Sequence, residues 1–325
     1  MNHATMTGKF GAGRARGNAG FSLIELMIAM VLGLLVLGAA FGIFHSNKRS
    51  YQASQSLGRI QESSQIAFEM MARDIREAGG SPCDVTTSAA NIVTNAATTW
   101  YANWNRALYG YDGSGLTGQV SGTDAIELVR TGDDVHTTTA VGTSAFAYTP
   151  SQTYTAGDIL MICDAKVFGI FKASSPTATS VSVDTSSSAN ACAYLPQPGT
   201  STCAGTAAQY QFPKFSAISR MLGVRWFVRD PDADATNGYS LYRQINGSDA
   251  EEIVEGVKDM QIQYLHGGSY VSAGSLSTDT QWGEVSAVRV RLTLRETAAA
   301  SQATTSGTPL ERTIQHIVAL RNRTL

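Results

Sequence analysis

The chain has 325 residues, 43% of them hydrophobic and 15% charged, so it holds enough apolar material for a folded core and is not a disordered sequence. Its formal net charge is −2. With the N-terminal segment set aside, acids outnumber bases, which leaves no basic footprint for nucleic acid.

Residues 1–20 contain Lys9, Arg14 and Arg16 and no acid. Gly20-Phe21-Ser22-Leu23-Ile24-Glu25-Leu26-Met27 then opens an apolar run to Phe44, in which Glu25 is the lone charge. At 1.5 Å per helical residue, residues 21–44 reach about 36 Å, enough to cross a hydrocarbon core of about 30 Å. Basic residues before the run place the N-terminus on the cytoplasmic side and the remainder in the periplasm. A charge deep in a bilayer costs at least roughly 2.5 kcal/mol, so Glu25 calls for a partner. An ordinary secretory signal is shorter and lacks an acid, and a plain anchor leaves the glycine-phenylalanine junction unexplained. Cleavage between Gly20 and Phe21 would create an amine four residues before Glu25. A neighbouring copy, shifted along its axis, could bring that ammonium beside this carboxylate. Ala29 with Gly33, and Gly38 with Gly42, show the small-xxx-small spacing that lets membrane helices approach closely.

Gly20, Phe21, Glu25 and the stretch Phe21–Leu26 resemble the class III signal of type IV pilins and pseudopilins. The resemblance implies cleavage after Gly20 by a prepilin peptidase, N-methylation of Phe21, and pairing of Glu25 with the terminal amine of an adjoining subunit.

Beyond Phe44 no proline intervenes before Pro82, so the helix is predicted to continue. Leu57, Ile60, Ser64, Ala67, Met71, Ile75 and Ala78 step by three or four and form a mostly apolar stripe. Glu69 with Arg73, and Arg73 with Glu77, are i,i+4 pairs on the wet side. Gly79-Gly80 and Pro82 supply the stop. The expected organisation is a leader at 1–20, a transmembrane and assembly helix at 21–44, its amphipathic continuation at 45–78, and a β-rich domain at 79–325.

Downstream the period changes to two. Asp124–Arg130, Asp158–Cys163 and Val167–Lys172 are predicted strands, the last two forming a hairpin. Leu222 to Val228 and Tyr239–Ile245 form another around the turn at Pro231 to Gly238. Met260 to Tyr264, Val288 to Arg295 and Leu310–Leu320 follow, the last pairing with the strand before it. The polar stretches 85–122 and 174–206 are expected to decorate the surface. The fold class is α+β, a type IV pilin-like long helix packed on an antiparallel sheet.

Cys83, Cys163, Cys192 and Cys203 all follow the membrane segment and face an oxidising compartment. Three connectivities are open; loop length and context favour Cys192 with Cys203 and Cys83 with Cys163. No zinc spacing, nucleophile elbow, phosphate loop or dinucleotide fingerprint occurs, so neither an enzyme nor a cofactor is expected. Asp230, Asp232 and Asp234 alternate as in a calcium loop. However, Ala235 and Leu241 stand where an EF-hand needs glycine and glutamate, leaving a looser calcium loop against a plain hairpin tip.

Arg73-Asp-Ile-Arg-Glu-Ala-Gly79 with Cys83, Gly157-Asp158-Ile-Leu, Val254-Glu-Gly-Val257 before Gln263-Tyr264, and Leu320-Arg-Asn-Arg323 are similar to the PilW family of minor pilins. This resemblance implies a structural subunit that primes pilus assembly and occupies the tip. It is anchored in the inner membrane before assembly and lies on the cell surface after it. The implied partners are other minor pilins, the major pilin, the prepilin peptidase, the inner-membrane assembly machinery and a large tip adhesin. A J-type minor pseudopilin of type II secretion and an adhesive tip module are the alternatives.

Overall fold

The computed structural model describes residues 22–83, 90–96, 99–149, 154–198, 203, 209–231, 238–295 and 310–323. Two compact units divide the chain, Met1–Gln52 and Ala53–Leu325.

A single helix, α1 (Leu23–Glu77), runs for 55 residues through both. In the first unit every residue from 22 to 52 is exposed. This is the one helix among the described residues that is long and apolar enough to cross a membrane. In the second unit, Ser56, Ile60, Ser64, Ala67, Met71 and Ile75 recur at three or four residues and are buried, as helical periodicity demands. Leu57, expected on that stripe, is exposed and Ser56 is buried instead; nothing in the structure explains the exchange. Gly79 ends the helix at φ 72°, a left-handed conformation that glycine adopts without penalty, and donates its N–H to the Val129 carbonyl at 2.8 Å. At Gly80 a Cβ would lie 2.8 Å from the Glu77 carbonyl oxygen.

The strands follow as β1 (Ala90–Asn91), β2 (Leu108–Tyr111), β3 (Ala125–Thr131), β4 (His136–Thr138), β5 (Ala145–Thr149), β6 (Ile159–Cys163), β7 (Phe168–Ser174), β8 (Ser180–Val183) and β9 (Ala217–Arg229). Then come β10 (Ser240–Ile245), β11 (Glu251–Glu255), β12 (Val257–His266), β13 (Ser269–Val271), the short helix α2 (Asp279–Gly283), β14 (Ala287–Arg295) and β15 (Glu311–Ala319).

They form two sheets where the sequence suggests one. The larger is organised by the 13-residue β9. One of its edges takes β3 and then β4; the other takes β10 and then β6. Pairing is antiparallel except for the two-residue β1 against β7. The second sheet, ordered β13-β12-β14-β15, is antiparallel throughout. The α1 stripe, the inward residues of β9 such as Val224, Trp226 and Val228, and those of β12 and β14 such as Ile262, Val290 and Leu292 share one core. Each large aliphatic there contributes roughly 1.5–3 kcal/mol by leaving water. An aromatic core around Phe146, Tyr148, Tyr154, Phe171 and Phe212 holds the other end of the larger sheet.

The polar stretches are not surface decoration. Ile92, Val93, Ala102 and Leu108 in the first are buried, as are Val181, Val183 and Leu195 in the second. Scattered aliphatics do the packing, and polar side chains satisfy the backbone between them. Asn190, 1% exposed, accepts from the Lys172 N–H and donates to the Lys172 and Asp184 carbonyls, all within 2.9 Å.

Candidate assembly helix and its support

Gly20 and Phe21 lie outside the described residues. Glu25 sits in the first turn of α1, where the unpaired N–H groups of a helix favour negative charge. Its own N–H donates to the Ser22 carbonyl at 3.0 Å. Around it Ile24, Leu26, Met27 and Ile28 are more than half exposed, so an acid stands on an uncovered apolar surface.

A rotation of 100° per residue places Ala29 about 40° and Gly33 about 80° around the helix from Glu25, on the same side. Gly38 lies nine residues after Ala29, roughly opposite, with Gly42 four further on. A Cβ built at Gly33, Gly38 or Gly42 would meet nothing within 4 Å. Both small-residue stripes are therefore open to another helix, and Glu25 shares a side with one of them.

In the second unit α1 is fixed by a buried acid that sequence reasoning passed over. Asp74 is 4% exposed. Its carboxylate accepts from Arg243 Nε at 2.9 Å and Nη2 at 3.0 Å, and from the Trp226 indole N–H at 2.9 Å. A bidentate guanidinium with one more donor neutralises and saturates the carboxylate, which makes its burial tolerable. The signal was an aspartate one position before Ile75, within the buried arc. Glu77 forms a second tie at the end of α1, pairing with Arg130 of β3 at 3.1 Å and with Arg73 at 3.3 Å.

Two disulfides join the four cysteines. Cys83, just past the helix stop, is bonded to Cys163 at the end of β6, with Cα atoms 6.1 Å apart. Cys192 is bonded to Cys203, 5.5 Å between Cα atoms, closing a segment 11 residues apart in sequence. In the chain-entropy model the shorter loop contributes roughly 3 kcal/mol and the 80-residue separation of the first roughly 4–5 kcal/mol.

Three further acids, Asp112, Asp124 and Asp164, are held by hydrogen bonds to backbone N–H groups. An open cleft of about 400 Å³ is lined in part by Asp112, Asp124, Gln261, Arg289 and Arg291. Asp112 accepts from the backbone N–H groups of Ala273 and Gly274, and Asp124 from those of Gly113 and Ile262. Burial pushes the Asp124 carboxyl up from its ordinary value, with those two N–H groups acting against it. Burial also works upward on Asp164, but the Tyr210 hydroxyl at 2.6 Å and the N–H groups of Lys166 and Val167 outweigh it and hold that carboxyl below its ordinary value. Tyr210, half-buried and facing that acid, is pushed up to about 12 by desolvation and by its hydrogen bond to Asp164. Asp232 and Asp234 lie outside the described residues, and among the described residues no three His, Cys, Asp or Glu side chains converge as a metal site.

Comparison with known proteins places two matches on this framework. Residues 15–41 match the Prokaryotic N-terminal methylation motif, and residues 232–324 match Type IV Pilus-assembly protein W. No curated protein matches the chain. Among solved structures, a type IV-like pilin from Thermus thermophilus aligns over 82% of this chain and 98% of its own, at 10% identity and a TM-score of 0.34. The chain thus carries an N-terminal methylation motif that extends into its long helix and a Type IV Pilus-assembly protein W domain that takes in β12, β14 and β15.

Proposed function

We infer that this chain is a minor pilin of a type IV pilus, held in the inner membrane as a prepilin and built into the filament after cleavage between Gly20 and Phe21. The observation that carries the reading is Glu25, an acid on the exposed apolar surface of a 55-residue helix whose start matches a methylation motif. Residues 21–44 anchor the precursor. Peptidase cleavage frees the Phe21 amine, which is then methylated, and Glu25 of one subunit meets the amine of the next. Each charge is neutralised by the other, which removes the cost of holding either in an apolar filament core. Ala29, Gly33, Gly38 and Gly42 let neighbouring helices approach.

The β domain supplies the partner-specific surface, directed toward other minor pilins and a large tip adhesin. In this reading the chain belongs to the complex that primes assembly and caps the filament. Mass spectrometry of the chain from sheared filaments tests the reading: the N-terminus is N-methyl-Phe21. An intact leader in those filaments overturns it.

A further inference from the structure

Among the described residues, the four-stranded sheet ends in an open edge. β15 is last in the strand order, and its nine residues pair with β14 one for one without a bulge. Just past the last pair, Leu320 donates its N–H to the Ser286 carbonyl at 2.9 Å. Antiparallel alternation then turns the backbone groups of residues 312, 314, 316 and 318 toward β14. Those of Glu311, Thr313, Gln315, Ile317 and Ala319 turn to the open side, and among the described residues no strand pairs with them. Such an edge is a template for another chain, and proteins normally guard it with proline, lysine, a bulge or a cover. The sequence Glu-Arg-Thr-Ile-Gln-His-Ile-Val-Ala has no proline and no lysine.

A groove of about 580 Å³ runs between this strand and α1. Phe68 and Ala72 of α1 and Ile314 and His316 of β15 form its apolar part, with the His316 ring 4.2 Å from that of Phe68. On β14 the inward Leu292 and Leu294 are at most 1% exposed, yet Ile314 in the next strand is only half-buried. The inner face of the sheet is therefore wider than the helix that covers it. Arg76 and Arg312 line the groove, both exposed and without an ion pair among the described residues. Its acid, Glu69, accepts from Gln65 Nε2 at 3.0 Å.

We propose that the β15 edge docks one extended strand of a different polypeptide of the same assembly. Its backbone pairs with the five outward residues, its apolar side chains fill the groove, and its carboxylates meet Arg76 and Arg312. Strand addition of this kind draws affinity from main-chain bonds and specificity from the pockets that receive alternate side chains. A second copy of this chain fits poorly, because it would bring its own Arg312 to a groove already lined by Arg76 and Arg312. The identity of the assembly rests on the minor-pilin reading; the open edge and its charge do not.

The test uses the full-length chain in its own cells, with photoreactive benzoylphenylalanine in place of Ile317. Sheared filaments are irradiated and the cross-linked peptides sequenced by mass spectrometry. The expected result is a cross-link to one acid-bearing segment of another filament protein, weakened at least tenfold by joint Arg76→Glu and Arg312→Glu substitution. Gln315→Pro, which removes an outward N–H and leaves the bonds to β14 in place, abolishes it. A cross-link confined to residues 296–309 of the same chain or to a second copy overturns the proposal. So does its persistence in either variant, or its absence when the chain is present in the filaments. If the chain itself is missing from filaments, the minor-pilin reading fails and takes the proposal with it.

Discussion

Asp74 of the long helix and Arg243 of the β9–β10 hairpin lie 169 residues apart and meet through two hydrogen bonds, at 2.9 and 3.0 Å. The carboxylate is also capped by the Trp226 indole. This contact decides how the second half of α1 is held, because a buried charge fits only where its counter-charge is supplied.

Asp74→Ala leaves Arg243 without its counter-ion, and removal of one partner of a buried pair costs about 3–5 kcal/mol. For a domain of this size each kcal/mol lowers the melting temperature by about 2–4 °C. Thermal unfolding of the full chain in detergent measures it. Joint replacement of Asp74 and Arg243 by methionine recovers much of the loss, since neither charge is then stranded.

Replacing Cys83 and Cys163 together by serine removes the tie between the helix stop and β6. The expected loss is about 2–5 kcal/mol, read as a lower denaturant midpoint. Replacing Cys192 and Cys203 opens the shorter loop, and the chain-entropy model makes that loss the smaller of the two.

Gly79→Ala forces a Cβ into a backbone at φ 72°. The cost is about 1–2 kcal/mol, measurable by the same unfolding experiment. An equal substitution at Gly58, where a Cβ meets nothing within 4 Å and the backbone is helical, is stabilising by up to about 1 kcal/mol.

Asp164 makes stability pH-dependent with a definite sign. Its carboxyl titrates below the ordinary value when folded, so the stability it adds is present above about pH 4 and is lost as the pH falls through the lowered value. Asp164→Asn therefore weakens the fold at pH 7 and has little further effect once the pH is below the lowered value. Urea unfolding of both proteins across that range reads the difference. Asp124 acts in the opposite direction: its raised carboxyl favours the folded state more as the pH falls through the raised value.

Much of this architecture is written in local pattern. The uninterrupted run to Phe44, the three-four stripe from Ile60 to Ala78 and the glycine stop define α1 because helical periodicity is a local property. Alternation in Met260–Tyr264 and Val288–Arg295 defines β12 and β14 for the same reason. What escaped depends on distant partners. In β5 the buried Phe146 and Tyr148 alternate with exposed neighbours, but the pattern is short and set among threonine, serine and glycine. β1 has two residues and exists only because β7 lies beside it. Asp74 reads as a solvated helix acid until Arg243 and Trp226 are brought to it by the fold. At the assembly end, Gly20, Phe21 and Glu25 were legible as a motif, whereas the open edge of β15 emerges only from the order of strands in the sheet.

The central claim is that Glu25 engages a neighbour's N-terminal amine once the leader is removed. Glu25→Ala tests it most directly, with processing followed on gels and incorporation followed in sheared filaments. The account predicts a normally cleaved chain that stays in the membrane fraction and is lost from filaments; wild-type incorporation of the cleaved variant would contradict it.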